Sequence, residues 1–173
     1  MTMRAFVHHG KPVNLASPQD INGVTIGGNY NAVSLRNYQG AFVFLQVGAH
    51  SSTAVAVTLK QAKTTDNSAV KALSFTEYYS NTVGASPTEE SDMWQKKTAV
   101  SNTFNIAANT NYLIPIRPGM LDVSNDFDCL RVDLSAAAAS TIIGLMLFLH
   151  DGPMGITDNT KHIPSARVNR MPN

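Results

Sequence analysis

Residues Val33 to Ala62, VSLRNYQGAFVFLQVGAHSSTAVAVTLKQA, read as two β-strands joined by a turn of small residues. In Ala41 to Val47 (AFVFLQV) nearly every position is apolar, the pattern of a strand covered on both faces at the centre of a sheet. From Thr53 to Ala62 the side chains alternate instead. Val55, Val57 and Leu59 share one face, and Ala54, Ala56, Thr58 and Lys60 the other, the period of two expected when one face is buried and one is wet. Gly48-Ala49-His50-Ser51-Ser52 between them lacks strong helix formers and offers a glycine for a tight turn, so the two strands are expected to form an antiparallel hairpin.

Working outward, Leu130, Val132 and Leu134 alternate with Arg131, Asp133 and Ser135, a strand at a sheet surface, whereas Thr141 to Leu149 (TIIGLMLFL) is apolar on both faces and reads as an interior strand. Ala136 to Ala139 between them is too short to nucleate an isolated helix and is read as a turn. Ala69 to Thr76 alternates, with Leu73 and Phe75 on one face. Trp94 to Val100 and Asn102 to Ile106 are short strands, and Tyr112, Ile114 and Ile116 share a face of another. Pro115 within that last strand points to a sheet edge or a bulge, because proline has no amide hydrogen to give to a ladder. Asn81 to Asp92, with Gly84, Pro87, Glu89, Glu90 and Asp92, is a polar loop.

Roughly eight short strand patterns with frequent turn signals and no helical period predict an all-β, antiparallel β-sandwich or jelly roll over residues 32–150. Residues 1–31 are interrupted by Gly10, Pro12, Pro18, Gly23, Gly27 and Gly28 and read as an irregular N-terminal arm. Residues 151–173, with Pro153, Pro164 and Pro172, read as a C-terminal arm. The apolar Phe6, Val7, Val13 and Leu15 in the first arm, and Ile156, Ile163, Arg167 and Arg170 in the second, are the expected interface residues, ordered by lying along neighbouring subunits.

At 173 residues and 43% hydrophobic, the chain is long enough for one well-packed domain. Only 14% of residues are charged, against roughly 25% in ordinary soluble domains, so much of the surface is neutral, a composition suited to packing against neighbours in an assembly. The net charge of +1 and the scattered Lys60, Lys63, Lys71, Lys96 and Lys97 argue against a nucleic-acid partner, which needs a concentrated basic face. Met1 to Gly10 lacks the apolar centre of a signal peptide, and the run from Ala136 to Leu149 is too short to span a bilayer, so a soluble protein made in a cytoplasm, with no membrane partner, is expected.

No catalytic set, cofactor motif or metal-ligand spacing is legible, and a non-enzymatic protein without cofactor is expected. Cys129, the single cysteine, reads as a buried free thiol. His8 and His9 are adjacent on an extended stretch and so point apart. Asp122, Ser124, Asp126 and Asp128 fall at alternate positions, with Asp133 further on. Phe127 stands where a calcium loop needs glycine, so a solvated turn is preferred to a metal site. Tyr78, Tyr79 and Trp94 beside the acidic loop either stack on a sugar ring or fill a core or subunit interface.

The series Ser34-Leu35-Arg36-Asn37-Tyr38, Val57-Thr58-Leu59-Lys60-Gln61-Ala62, Lys71-Ala72-Leu73-Ser74-Phe75-Thr76 and Phe127-Asp128-Cys129-Leu130-Arg131-Val132-Asp133-Leu134-Ser135 resembles small virion structural proteins of tailed bacteriophages, over residues 34–149. That resemblance implies a capsid decoration (cement) protein with the major capsid protein and itself, as a homotrimer, for partners, located on the capsid surface of the virion. A carbohydrate- or receptor-binding module on a head fibre or tail component is the alternative.

Overall fold

The computed structural model describes residues 10–27, 32–51, 54–82 and 94–150. Among the described residues eleven strands run in chain order: β1 (Gly10–Asp20), β2 (Val33–Ser34), β3 (Gly40–His50), β4 (Ala56–Ala62), β5 (Lys71–Ala72), β6 (Glu77–Thr82), β7 (Gln95–Thr98), β8 (Thr103–Asn105), β9 (Thr110–Ile116), β10 (Cys129–Leu134) and β11 (Thr141–His150). Two single-turn 3-10 helices, Pro118–Met120 and Val123–Asn125, are the only helical turns among the described residues. The strands form an all-β antiparallel sandwich. One sheet has the order β1-β11-β3-β9-β6-β7, the other β2-β10-β4-β5, with β8 sharing the free edge of β4.

The hairpin expected between Ala41–Val47 and Thr53–Ala62 does not form. β3 pairs with β11 on one side and β9 on the other, while β4 lies in the opposite sheet beside β10. The physical reason is competition for partners. β3 and β11 are the two longest strands that are apolar on both faces, and pairing them places Leu45 opposite Leu145 and Val43 opposite Leu147. Gly48 lies inside β3 and has no left-handed backbone, so it is not a turn glycine. The chain crosses between the sheets after His50, whose Nδ1 is 3.0 Å from Thr141 Oγ1, and Ser51 Oγ donates to the Ser140 carbonyl at 3.2 Å.

The reading of residues 1–31 as an arm is also corrected for its described part. β1 is an edge strand of the larger sheet, paired with β11 from Gly10↔His150 to Asp20↔Ile142 with bulges on the way. Pro12 and Pro18 conceal a strand in the sequence, yet an edge strand has one side that needs no ladder hydrogen bond and tolerates them. Val13 and Leu15, expected to grip a neighbour, pack half-buried against this chain's own core, and Ala16 is fully inside. Asp20 closes the β1–β11 end, accepting hydrogen bonds from the Thr141 amide at 2.9 Å, the Ser140 hydroxyl at 2.7 Å and the Asn22 amide at 3.0 Å; these bonds hold its carboxyl below the usual range. The chain then crosses to the second sheet. Ile21 is buried, and the Ile26 and Leu134 amides each donate to the other's carbonyl, at 3.0 and 2.9 Å.

The core lies between the sheets. Val43, Leu45, Leu145, Leu147 and Ile114 from the larger sheet meet Val57, Leu59, Leu130 and Leu134 from the smaller, all essentially without exposure. Each such aliphatic side chain stabilises the fold by about 1.5–3 kcal/mol relative to exposure. At one end, Tyr78 stacks on Phe104 at 4.1 Å and Phe104 lies 5.1 Å from Tyr112. Pro115 sits in the central strand β9, but the β6 ladder stops at Leu113, so beyond that point the proline has no partner strand on the β6 side to satisfy. Ala136 to Ala139 is a turn, anchored by a bridge from Ala137 to Asn22.

Candidate functional site

The two outer faces of the sandwich differ in character. On the smaller sheet, β4 and β10 turn Thr58, Lys60, Arg131 and Asp133 outward; Asp133 accepts from Lys60 at 2.7 Å and from Arg131 at 2.6 and 3.1 Å. This face is polar, as the alternation in both strands predicts, but it is not open to water: the Arg131 and Asp133 side chains are only 15% and 17% exposed, and the buried Gly27 lies against Asp133.

The outer face of the larger sheet is apolar. One row across it runs Pro12, Phe148, Phe42 and Pro115, from β1 through β11 and β3 to β9. The next row runs Asn14, Met146, Phe44, Leu113 and Tyr79, ending on Lys96 of β7. Phe42 and Phe148 stack with ring centroids 4.8 Å apart, and Trp94 presents its ring to Phe44 edge-on at 6.4 Å. β11, β3 and β9 place no Asp, Glu, Lys or Arg on this face. A polar row of Gln46, Asn111 and Asn81 bounds it at one end, and the Lys96–Glu77 ion pair bounds it at the β7 edge. The hydrogen bond from Lys96 to Glu77 raises the lysine's affinity for its proton, so Lys96 stays charged at neutral pH.

Phe42, Phe44, Phe148, Met146 and Leu113 were not singled out in the sequence as interface residues. The signal was present nonetheless, because AFVFLQV and TIIGLMLFL read as covered on both faces. The sandwich covers only one. Phe42, Phe44, Met146 and Phe148 remain half-buried, Trp94 is 42% exposed and Ile142 40%.

Of the three aromatics that the sequence offers as ligand-facing, Tyr79 and Trp94 lie on this face. Tyr78 does not: it packs inward, stacked on Phe104, and burial pushes its phenol pKa up. Of the expected interface residues, Phe6, Val7, Ile156, Ile163, Arg167 and Arg170 lie outside the described residues.

The alternating aspartates do not converge. Asp122 takes hydrogen bonds from Lys71, from Ser124 Oγ at 2.9 Å and from Asn125 Nδ2 at 2.9 Å, while Asp128 pairs with Arg36 at 3.0 Å and Asp133 with Lys60 and Arg131. Among the described residues no three His, Cys, Asp or Glu side chains gather as a metal site. Asp122 instead pins its loop to the smaller sheet: its amide donates to Gln61 Oε1 at 2.8 Å, and Lys71 lies over the Phe127 ring at 3.9 Å. The bonds from Lys71, Asn125 and Ser124 lower its pKa to about 2. A carboxyl depressed in the folded state adds stability above its unfolded value and loses it on acidification, here between about pH 4 and pH 2. Asp122→Asn is therefore expected to lower the melting temperature modestly at pH 7 and to flatten its decline between pH 4 and pH 2. An unchanged acid profile contradicts the assigned role.

Cys129 is buried and free; burial, then its hydrogen bond to Asp128 at 3.1 Å, pushes its thiol up to about 12, which leaves it no nucleophilic character at neutral pH. A cleft of about 270 Å³ beside Leu35, Tyr38, Leu121 and Val123 has Arg36 and Asp128 in its wall, and these two satisfy each other. No described helix is long and apolar enough to cross a membrane.

No family model matches this chain, and no curated protein matches it. Among solved structures, the crystal structure of the SPBc2 prophage-derived protein YomS aligns with 80% of this chain and 92% of its own, at 8% sequence identity and a TM-score of 0.35. A similarity of that extent transfers neither a fold assignment nor any residue's role.

Proposed function

We propose that this chain is a non-enzymatic structural protein of a tailed-bacteriophage virion, a decoration or cement protein that binds the outer surface of the major capsid shell as a homotrimer and stabilises it. The observation that carries the reading is the uncharged aromatic outer face of the larger sheet, built by Phe42, Phe44, Leu113, Met146 and Phe148. A contiguous apolar surface of several hundred square ångströms marks a site of association. The low charge of the chain, 14%, agrees with a protein that spends its life against neighbours, and the residues resembling small virion proteins supply the context. Residues 1–9 and 151–173, carrying Phe6, Val7, Ile156, Ile163, Arg167 and Arg170, supply contacts to the shell, and several copies bound together multiply weak contacts by avidity. The protein works on the virion surface without cofactor, nucleic acid or membrane.

The test is sedimentation of the purified chain with capsid shells that lack it. Saturable binding, with shells surviving heat or low salt better when coated, is expected. Shells that pellet without the chain at micromolar concentration contradict the reading. A second reading, a glycan- or receptor-binding module, draws on Tyr79 and Trp94 lying on one face. Glycan binding lost in Trp94→Ala, with the fold retained, is the result that favours it.

A further inference from the structure

We infer that the outer face of the six-stranded sheet packs against a second copy of this chain, so that Phe42, Phe44, Leu113, Met146 and Phe148 form the centre of a homotypic interface. The inference rests on the structural role proposed above and names the surface that serves it.

Four observations select a second copy as the occupant. The face has the anatomy of a permanent interface: an aromatic and aliphatic centre without Asp, Glu, Lys or Arg, framed by Gln46, Asn111, Asn81 and Asn14 and by the Lys96–Glu77 pair. Obligate self-association uses such apolar surfaces, whereas a partner met after synthesis calls for one that the free protein can leave in water.

Its size is appropriate. Six strands about 4.8 Å apart, over some six residues at about 3.4 Å each, give about 600 Å² of flat sheet, and side chains standing off it bring the accessible area toward the roughly 800 Å² per partner of a stable interface.

The sheet's edges oppose the alternative geometry. β1 carries Pro12 and Pro18, and β7 is exposed with Lys96 and Lys97 on it, both devices that block strand addition, so copies meet face-on rather than edge-to-edge. Finally, a net charge of +1 offers little repulsion to self-approach.

The experiment is light scattering coupled to size exclusion on the full chain and on Phe44→Glu, with circular dichroism to confirm that the variant is folded. A native mass of two or three times 18.6 kDa that falls to 18.6 kDa in the variant is expected. A native monomer, or a multimer that Phe44→Glu leaves intact, overturns the inference. If the variant does not fold, the unmodified protein still decides, because Trp94 is its sole tryptophan and stands on this face. Iodide is expected to quench it weakly in the multimer. Free quenching in a multimer, or shielding in a monomer, which would show this chain's own residues covering the face, overturns the inference. A monomer that still coats capsid shells overturns it and the homotrimer while leaving capsid binding standing, and a multimer indifferent to shells leaves the interface standing and overturns capsid binding.

Discussion

Removing residues 1–20 is expected to abolish the folded, soluble state rather than to yield a trimmed core. β1 supplies the outermost ladder of the larger sheet, the buried Ala16, and Val13 and Leu15 against the core. Its loss turns β11, TIIGLMLFL, into a sheet edge with open backbone groups along an apolar strand, the arrangement that recruits other chains and aggregates. The Asp20 carboxylate that caps Ser140 and Thr141 goes with it. A domain of this kind is stable by only about 5–15 kcal/mol, and losing a whole strand with its buried side chains is expected to consume most of that. Soluble yield and the cooperativity of thermal unfolding check the prediction. Deleting only residues 1–9 leaves β1 whole and serves as the control. A chain lacking 1–20 that melts at the native temperature contradicts the place assigned to β1.

The second large effect is expected at Gly27, where the chain passes over β10. Its φ of +120° lies in a region that side chains rarely adopt, and a Cβ built there would stand 2.6 Å from Asp133 Cγ and 2.8 Å from Asp133 Cα. Asp133 has little freedom to withdraw: its carboxylate is held by Lys60 and Arg131, and its backbone belongs to the β10–β4 ladder. Gly27→Ala combines backbone strain with a clash against a strand and is expected to destabilise by about 3 kcal/mol, lowering the melting temperature by roughly 10 °C. Gly23 is the matched control. It also has a positive φ, +69°, but nothing lies within 4 Å of an added Cβ, so Gly23→Ala is expected to cost about 1 kcal/mol. Equal melting temperatures for the two variants contradict the packing of this segment on β10.

The sequence carried the fold class but not the pairing. Alternation in Val57 and Leu59, in Leu130, Val132 and Leu134, and in Tyr112, Ile114 and Ile116 identifies strands and their buried faces correctly, because a period of two follows directly from the backbone. Partner choice has no such local signature. The stretch from Ala41 to Ala62 reads as a hairpin, and only the rest of the chain, with β11 and β9 flanking β3, sends its two strands to opposite sheets. β1 was hidden for a different reason: Pro12, Pro18 and a bulge break its period, and the edge position that tolerates them is a tertiary fact.

The candidate surface was half legible. Apolar residues on both faces of β3 and β11 demand two covers, and the sandwich provides one. Tyr79 and Trp94 stand out in the sequence as aromatics near a polar loop, whereas their shared face with Phe44 and Leu113 emerges only from cross-strand register.

The most direct measurement of the central claim is an electron cryo-microscopy map of phage capsid shells incubated with this chain. The account predicts density for the sandwich on the outer surface of the capsid shell, in clusters whose six-stranded sheets face one another through Phe44 and Leu113. A particle without the chain, or one bearing single copies with that aromatic face turned to solvent, contradicts it.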